Sequence, residues 1–155
     1  ENIKLIQVET AEQMFKEIQN HLPVDVAIFS AAVGDFKAVD KRNEKIKKED
    51  ELIIKFERNI DILSYVSNHN SKRPKLVIGF AAETNNLEKN ALEKLKNKNC
   101  DWIIANDVSK KEIGFQSDFN EVTIYYKNNN NEKLSFKNKS LISEEIVSRV
   151  SNHLN

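Results

Sequence analysis

Glycine is scarce in this chain of 155 residues: Gly34, Gly79 and Gly114 are the three. Spacing that wide excludes a G-x-G-x-x-G turn, and with it the fingerprint of dinucleotide-dependent oxidoreductases. Cysteine is scarcer still. A lone Cys100 excludes an internal disulfide, and His21, His69 and His153 lie too far apart in sequence to make a zinc cluster. A reducing cytoplasm fits that usage best. Charge of one sign is also missing, because 24 basic and 24 acidic residues give a formal net charge of zero. The usual electrostatic argument for nucleic acid or a membrane surface is therefore removed, and an anion site has to come from local clustering. No apolar run approaches the ~20 residues that span a bilayer, and Glu1-Asn2-Ile3-Lys4 has neither the basic region nor the apolar core of a signal peptide. The expectation is one intracellular domain that binds neither membrane nor nucleic acid.

What is present is an alternation of apolar runs and helical patterns. Lys4 to Val8 is β-prone, and Thr10-Ala11-Glu12-Gln13 after it has the form of a helix start, with Met14, Phe15 and Ile18 on the apolar face. Val24 to Phe29 and Pro74 to Phe80 are nearly continuous apolar runs, the pattern of strands covered on both faces. Asp35 to Lys48 reads as a charged loop, Leu52 to Phe56 as a strand, and Asp61 to about Asn68 as a helix with Ile62, Leu63 and Val66 inward. A helix from about Asn86 to Asn97 and a strand from Asp101 to Ala105 follow. Val122, Ile124 and Tyr126 then alternate with polar neighbours, and Leu134 and Phe136 repeat the period after a polar break, which predicts a hairpin. Ser143 to His153 closes the chain as a helix with Ile146 and Val150 on one face. The sum is an α/β fold, a Rossmann-like three-layer sandwich with a mostly parallel sheet and a C-terminal β-hairpin.

Several apolar runs end in unusual residues. Ser30, Ala31 and Ala32 leave room for a ligand beside the backbone, and Asp35 beyond them is placed to accept hydrogen bonds from ribose hydroxyls or an amine. The same alanines serve equally well for tight helix packing, and Asp35 for a turn. Lys45, Lys47 and Lys48 lie in a segment too polar for a core, although Glu44, Glu49 and Asp50 nearly neutralise them. Lys94 and Lys98 are four apart on a predicted helix and share a face, which suits a polyphosphate or plain solvent. Glu83 to Asn86 reads as a helix start capped by Thr84 or Asn85, and Asn106-Asp107 as a turn. Singly, none of these decides between ligand and scaffold.

Their order does more. A-A-V-G-D-F-K at 31–37, E-K-I-K-K at 44–48, R-N-x-D-I at 58–62, G-F-A-A-E-T-N-N at 79–86, A-N-D-V at 105–108 and G-F-x-S-D-x-N at 114–120 cover nearly the whole chain. The set resembles the synthetase domain of the bacterial bifunctional enzymes of coenzyme A biosynthesis, the phosphopantothenate–cysteine ligases. That resemblance implies ligation of 4′-phosphopantothenate to L-cysteine with CTP and Mg²⁺ through an acyl-cytidylate, in a cytoplasmic homodimer whose hairpin mediates pairing. FMN is implied only if a decarboxylase domain precedes this region. It carries nucleotide contacts onto Phe29, Ser30, Ala31, Asp35, Lys45, Ile60, Asp61, Ile62, Leu63, Phe80, Lys94 and Lys98, with Lys45 as the catalytic lysine. The family commonly has glycine where Phe29 stands and proline where Ile60 stands; backbone contacts survive either change. Family members also have a first strand and a glycine-rich phosphate-binding segment before the region seen here. The expectation is a synthetase domain over 1–155 that lacks both, and that ligates poorly alone for want of those amides. A non-catalytic nucleotide-binding or scaffolding homologue is the alternative, against which the retained lysines argue. Metal ligands are not legible, and Mg²⁺ is expected to travel with the triphosphate.

Overall fold

The computed structural model describes residues 2–40, 53–109 and 117–155. Eleven elements follow one another among them: α1 (Ala11–His21), β1 (Val26–Phe29), β2 (Phe36–Ala38), β3 (Phe56–Arg58), α2 (Ile62–Ser67), β4 (Leu76–Glu83), α3 (Leu87–Lys98), β5 (Trp102–Asp107), β6 (Phe119–Tyr126), β7 (Asn131–Asn138) and α4 (Lys139–Leu154). The main sheet has the order β1-β4-β5-β6-β7. Its first three strands are parallel, and β6 and β7 add antiparallel as a hairpin. A separate antiparallel pair, β2 with β3, stands beside it.

Strand side chains alternate between two faces, and each face has its own core. On one, Leu76, Ile78, Trp102, Ile104, Val122, Ile124 and Leu134 meet Ile142 and Ile146 of α4. On the other, Ala81, Ile103, Ala105 and Tyr125 meet Ala91 and Leu95 of α3, with Leu63 of α2 packed against them. The three-layer α/β sandwich with a C-terminal hairpin is thus present. Gly79 is what lets α2 approach: a Cβ there would lie 2.8 Å from both Leu63 Cδ2 and Ile103 Cδ1. At the amino ends of the strands, Arg73 joins three elements. Its guanidinium donates to the Ser67, Pro74 and Asn99 carbonyls and to both oxygens of Asp101, whose Oδ2 also accepts the Val77 amide at 2.7 Å.

Several local expectations need correction. Lys4 to Val8 forms no strand: Ile3 and Leu5 are almost fully exposed, and β-prone residues without a ladder partner have nothing to pair with. The apolar run at Val24 to Phe29 yields an edge strand, not one covered on both faces, with Ile28 46% exposed. The expected charged loop contains β2 in its described part, and of the strand expected over Leu52 to Phe56, Leu52 lies outside the described residues and pairing begins at Phe56, in β3. Asn138, not Ser143, opens α4, its side chain accepting the Ser140 amide at 2.8 Å. β4 and β5 run on to Glu83 and Asp107, so A-A-E and N-D are paired strand residues and Asn106-Asp107 is no turn. The head of α3 is Asn86, left-handed at φ 47° with no side-chain cap. Asn90 reaches back instead, to Glu83 Oε2 and the Asn85 carbonyl. Tyr125, between the alternating Ile124 and Tyr126, is buried against the α3 side, so the strand is covered on both faces there.

Candidate functional site

In open α/β sheets, ligands settle where parallel strands deliver their carboxyl ends. Here β1, β4 and β5 do so together, and a cavity of about 160 Å³ opens there. Phe29, Ala31, Val33, Gly34 and Asp35 form one side, Asn59 to Leu63 a second, and Phe80 with Lys94 and Lys98 a third, while Met14 of α1 completes it. A wider cavity of about 580 Å³ shares Ala31, Val33, Asp35, Phe80 and Lys94 and continues over Ser30, Ala82, Asn106, Asn120 and Lys139. The crevice therefore crosses the tips of all three parallel strands and reaches the start of the hairpin.

Local chemistry sets its walls. The loop after β1 is tied to the segment before α2 by Asn59, whose amide donates to the Asp35 carbonyl at 2.8 Å and whose side chain donates to the Gly34 carbonyl at 2.7 Å. Asp61 then caps α2 through Oδ1, which accepts the Ser64 amide at 2.9 Å, while Oδ2 binds the Lys98 ammonium. Burial pushes the Asp61 carboxyl up, but hydrogen bonds from Lys98 and the Ser64 amide, with the charges of Lys98 and Lys94, outweigh it and hold the group below its ordinary range. Lys94 donates to the Phe80 carbonyl at 2.7 Å. Both lysines come from one face of α3, one turn apart, as their spacing predicts.

Of the residues singled out from sequence, Phe29, Ala31, Asp35, Ile60, Asp61, Ile62, Leu63, Phe80, Lys94 and Lys98 line the first cavity, and Ser30 lines the second. Lys45, like Lys47 and Lys48, lies outside the described residues. Sequence reasoning did not count Asn59, Asn106 or Met14 as site residues. The R-N-x-D-I and A-N-D-V matches already contained both asparagines, but the bonds of Asn59 to Gly34 and Asp35 and the place of Asn106 on the wider cavity are visible only once the chain is folded. Cys100 is no nucleophile: burial and the Asp101 carboxylate push its thiol up to about 11. Among the described residues no group of three or more acids, histidines or cysteines is placed to hold a metal. Asp35 and Asp61 nevertheless offer hard oxygen donors to one cavity, which fits Mg²⁺ carried mainly by phosphate oxygens. No helix of the described residues is long and apolar enough to cross a membrane.

Fold and crevice define the Rossmann-like α/β class, whose ligand sites are built at the strand tips from backbone, small residues and a few charges. The particular family follows from comparison: residues 1–154 match the DNA/pantothenate metabolism flavoprotein C-terminal domain, and the chain belongs to that family. It is 36% identical over 151 residues to the Coenzyme A biosynthesis bifunctional protein CoaBC of Haemophilus influenzae, covering 96% of this chain and 37% of that protein. Against the Escherichia coli K12 protein of the same name the identity is 38% over 156 residues, covering 95% and 38%. The chain thus spans well under half the length of these relatives. A crystal structure of the C-terminal domain of a CoaBC protein superposes with a TM-score of 0.76 at 33% identity, over 96% of this chain and 65% of that one.

Proposed function

We propose that this chain is the ligase part of a coenzyme A biosynthesis enzyme, joining 4′-phosphopantothenate to L-cysteine at the expense of CTP. The observation that carries the reading is the crevice itself. Four segments far apart in sequence, at 29–35, 59–63, 80 and 94–98, converge on one cavity at the strand tips, in a chain of this family. In the first half-reaction the substrate carboxylate, ionised at neutral pH, attacks the α-phosphorus of CTP; the P–O bond to pyrophosphate breaks and an acyl-cytidylate forms. No general base is required, so catalysis rests on positioning and charge neutralisation. In the second, the amine of cysteine attacks the acyl carbon, its proton passes to solvent, and cytidylate leaves with the electron pair of the broken C–O bond.

Each wall has a part in this scheme. Ala31 and the backbone around it admit the nucleoside, Asp35 accepts from its hydroxyls or amine, and Phe80 offers an apolar face. Lys94 and Lys98 meet the phosphates, and Lys45 stabilises the charge that develops on the leaving group. Mg²⁺, bound with the triphosphate, would supply further neutralisation of the phosphate charge. The wider cavity beyond Phe80 has room for the pantothenate arm. A cytoplasmic homodimer completes the proposal, and the exposed stack of Phe119 on Phe136, 5.2 Å between ring centroids, is the apolar feature of the hairpin suited to pairing.

Calorimetric titration with CTP·Mg²⁺, with ATP·Mg²⁺ as control, tests the reading. Saturable binding of CTP over ATP, weakened about 10-fold or more in the Lys94→Ala/Lys98→Ala double variant, is the expected result. Binding that is indifferent to both lysines overturns the assignment of the crevice. Lys45→Gln in a ligation-competent form is expected to slow at least one half-reaction, and wild-type rates in both would remove Lys45 from the mechanism.

A further inference from the structure

The described residues lining the first cavity carry as much negative as positive formal charge. Among the described residues lining it, the titratable ones are Lys94 and Lys98 of α3, Asp61 at the head of α2, and Asp35 beyond β1. Neither ammonium is uncommitted, since Lys94 donates to the Phe80 carbonyl and Lys98 is bound to Asp61. Asp61 itself is engaged through both oxygens, Oδ1 by the Ser64 amide and Oδ2 by Lys98. Helix capping explains the first of these contacts and not the charge, because serine or asparagine caps as well as aspartate.

A metal-free polyphosphate entering this cavity has to compete with the Asp61 carboxylate for Lys98, and it meets like charge while doing so. That approach is unfavourable in a partly desolvated crevice. A polyphosphate already chelating a divalent cation reverses the encounter. The cation presents hard positive charge to the same carboxylate, and Lys98 becomes available to phosphate oxygen. We propose that Asp61 is a specificity-determining residue that makes the crevice select metal-complexed over metal-free nucleotide, by holding Lys98 and placing a fixed negative charge where the polyphosphate must lie. This rests on the nucleotide-site reading above and adds which side chain enforces the metal requirement at the binding step.

The test is calorimetry on the 155-residue chain and its Asp61→Asn, Asp61→Ser and Asp35→Asn variants. CTP and inorganic pyrophosphate are titrated with excess Mg²⁺ and with excess EDTA. Both Asp61 variants keep an acceptor for the Ser64 amide, and melting temperatures close to wild type verify that α2 is intact. The expected result is a ratio of metal-free to metal-bound Kd that falls about tenfold in both Asp61 variants, chiefly because the metal-free ligands bind more tightly. Loss of a merely structural residue would weaken both forms together and leave the ratio alone, and that result overturns the proposal. It is equally overturned if Asp35→Asn, and not Asp61→Asn, collapses the ratio. Wild-type protein that binds CTP equally well in EDTA and Mg²⁺ overturns it while leaving the ligase reading standing. Wild-type protein that binds nucleotide under neither condition removes the nucleotide site, and this proposal with it.

Discussion

The two ends of the main sheet are built from similar residues and put to different use. At the β5–β7 end Ile104, Ile124 and Leu134 are buried beneath α4, and Trp102 is clasped edge-on by Tyr126 and His153. At the β1 end Ile28, Phe36, Phe56 and Ile60 are all about half exposed or more, although each is as apolar as its counterparts. Hydrophobicity alone did not decide burial here; position in the sheet did. A strand with neighbours on both sides and a helix on a face has its apolar groups removed from water, whereas an edge strand beside a crevice keeps part of its surface available. The closed end holds a packed core, and the open end holds the crevice proposed as the ligand site. Asp61, Lys98 and Asn59 bind the open end together through polar contacts in place of a core.

That contrast can be broken most severely at its closed end. Ile104→Ala is expected to cost about 2–5 kcal/mol in chemical denaturation, against less than about 0.5 kcal/mol for Ile60→Ala at the crevice rim. Equal losses at the two sites would show that the ends are not differently packed. Gly79→Ala tests the join between them. The new Cβ has to displace Leu63 or Ile103, for an expected loss of about 1–3 kcal/mol and a measurable weakening of CTP binding as α2 is pushed back. Stability lost without any change in binding would mean that Asp61 does not depend on the close approach of α2. Asp101→Ala, at the amino ends of the strands and away from the crevice, leaves the Arg73 guanidinium and the Val77 amide short of an acceptor, for about 1–3 kcal/mol. CTP affinity should be unchanged.

The smallest effect is a pH dependence. Because the Asp61 carboxyl is held below its ordinary value of 3.8, its bonds to Lys98 and Ser64 stabilise the fold fully above that value. The contribution is lost as pH falls through the lower, folded value. The melting-temperature gap between wild type and Asp61→Asn should therefore be constant from neutral pH down to about 4 and close below it. A gap that persists unchanged at pH 2 would show that the ionised carboxylate contributes nothing to the fold.

Legibility in the sequence followed the range of the interaction responsible. Helices α1, α2 and α3 and the parallel strands were readable because apolar period and caps act within a few residues. Thr10 caps α1 at the expected helix start, with Gln13 completing a capping box, and Asp61 caps α2 where a helix was read to begin. Misread elements were those whose existence depends on a distant partner. β2 exists because β3 lies beside it, Lys4 to Val8 fails as a strand because no ladder meets it, and β4 and β5 lengthen because each pairs the other through Glu83 and Asp107. The site divides in the same way. Small residues after β1 and the i, i+4 lysines were legible as types in a pattern, but the bonds from Lys98 to Asp61, Lys94 to the Phe80 carbonyl and Asn59 to Gly34 join residues 14 to 37 apart in the chain.

By itself, then, the amino-acid sequence determined the α/β class, the order of elements, the family and the segments from which a site is made, since all of these are written in local pattern and motif. Only the tertiary structure decided which of those segments meet, that β1 is a half-exposed edge, that Gly79 brings α2 against the sheet, and that Lys94 and Lys98 each already have an oxygen partner. Those outcomes depend on pairing, approach and charge across the chain, which no local pattern encodes.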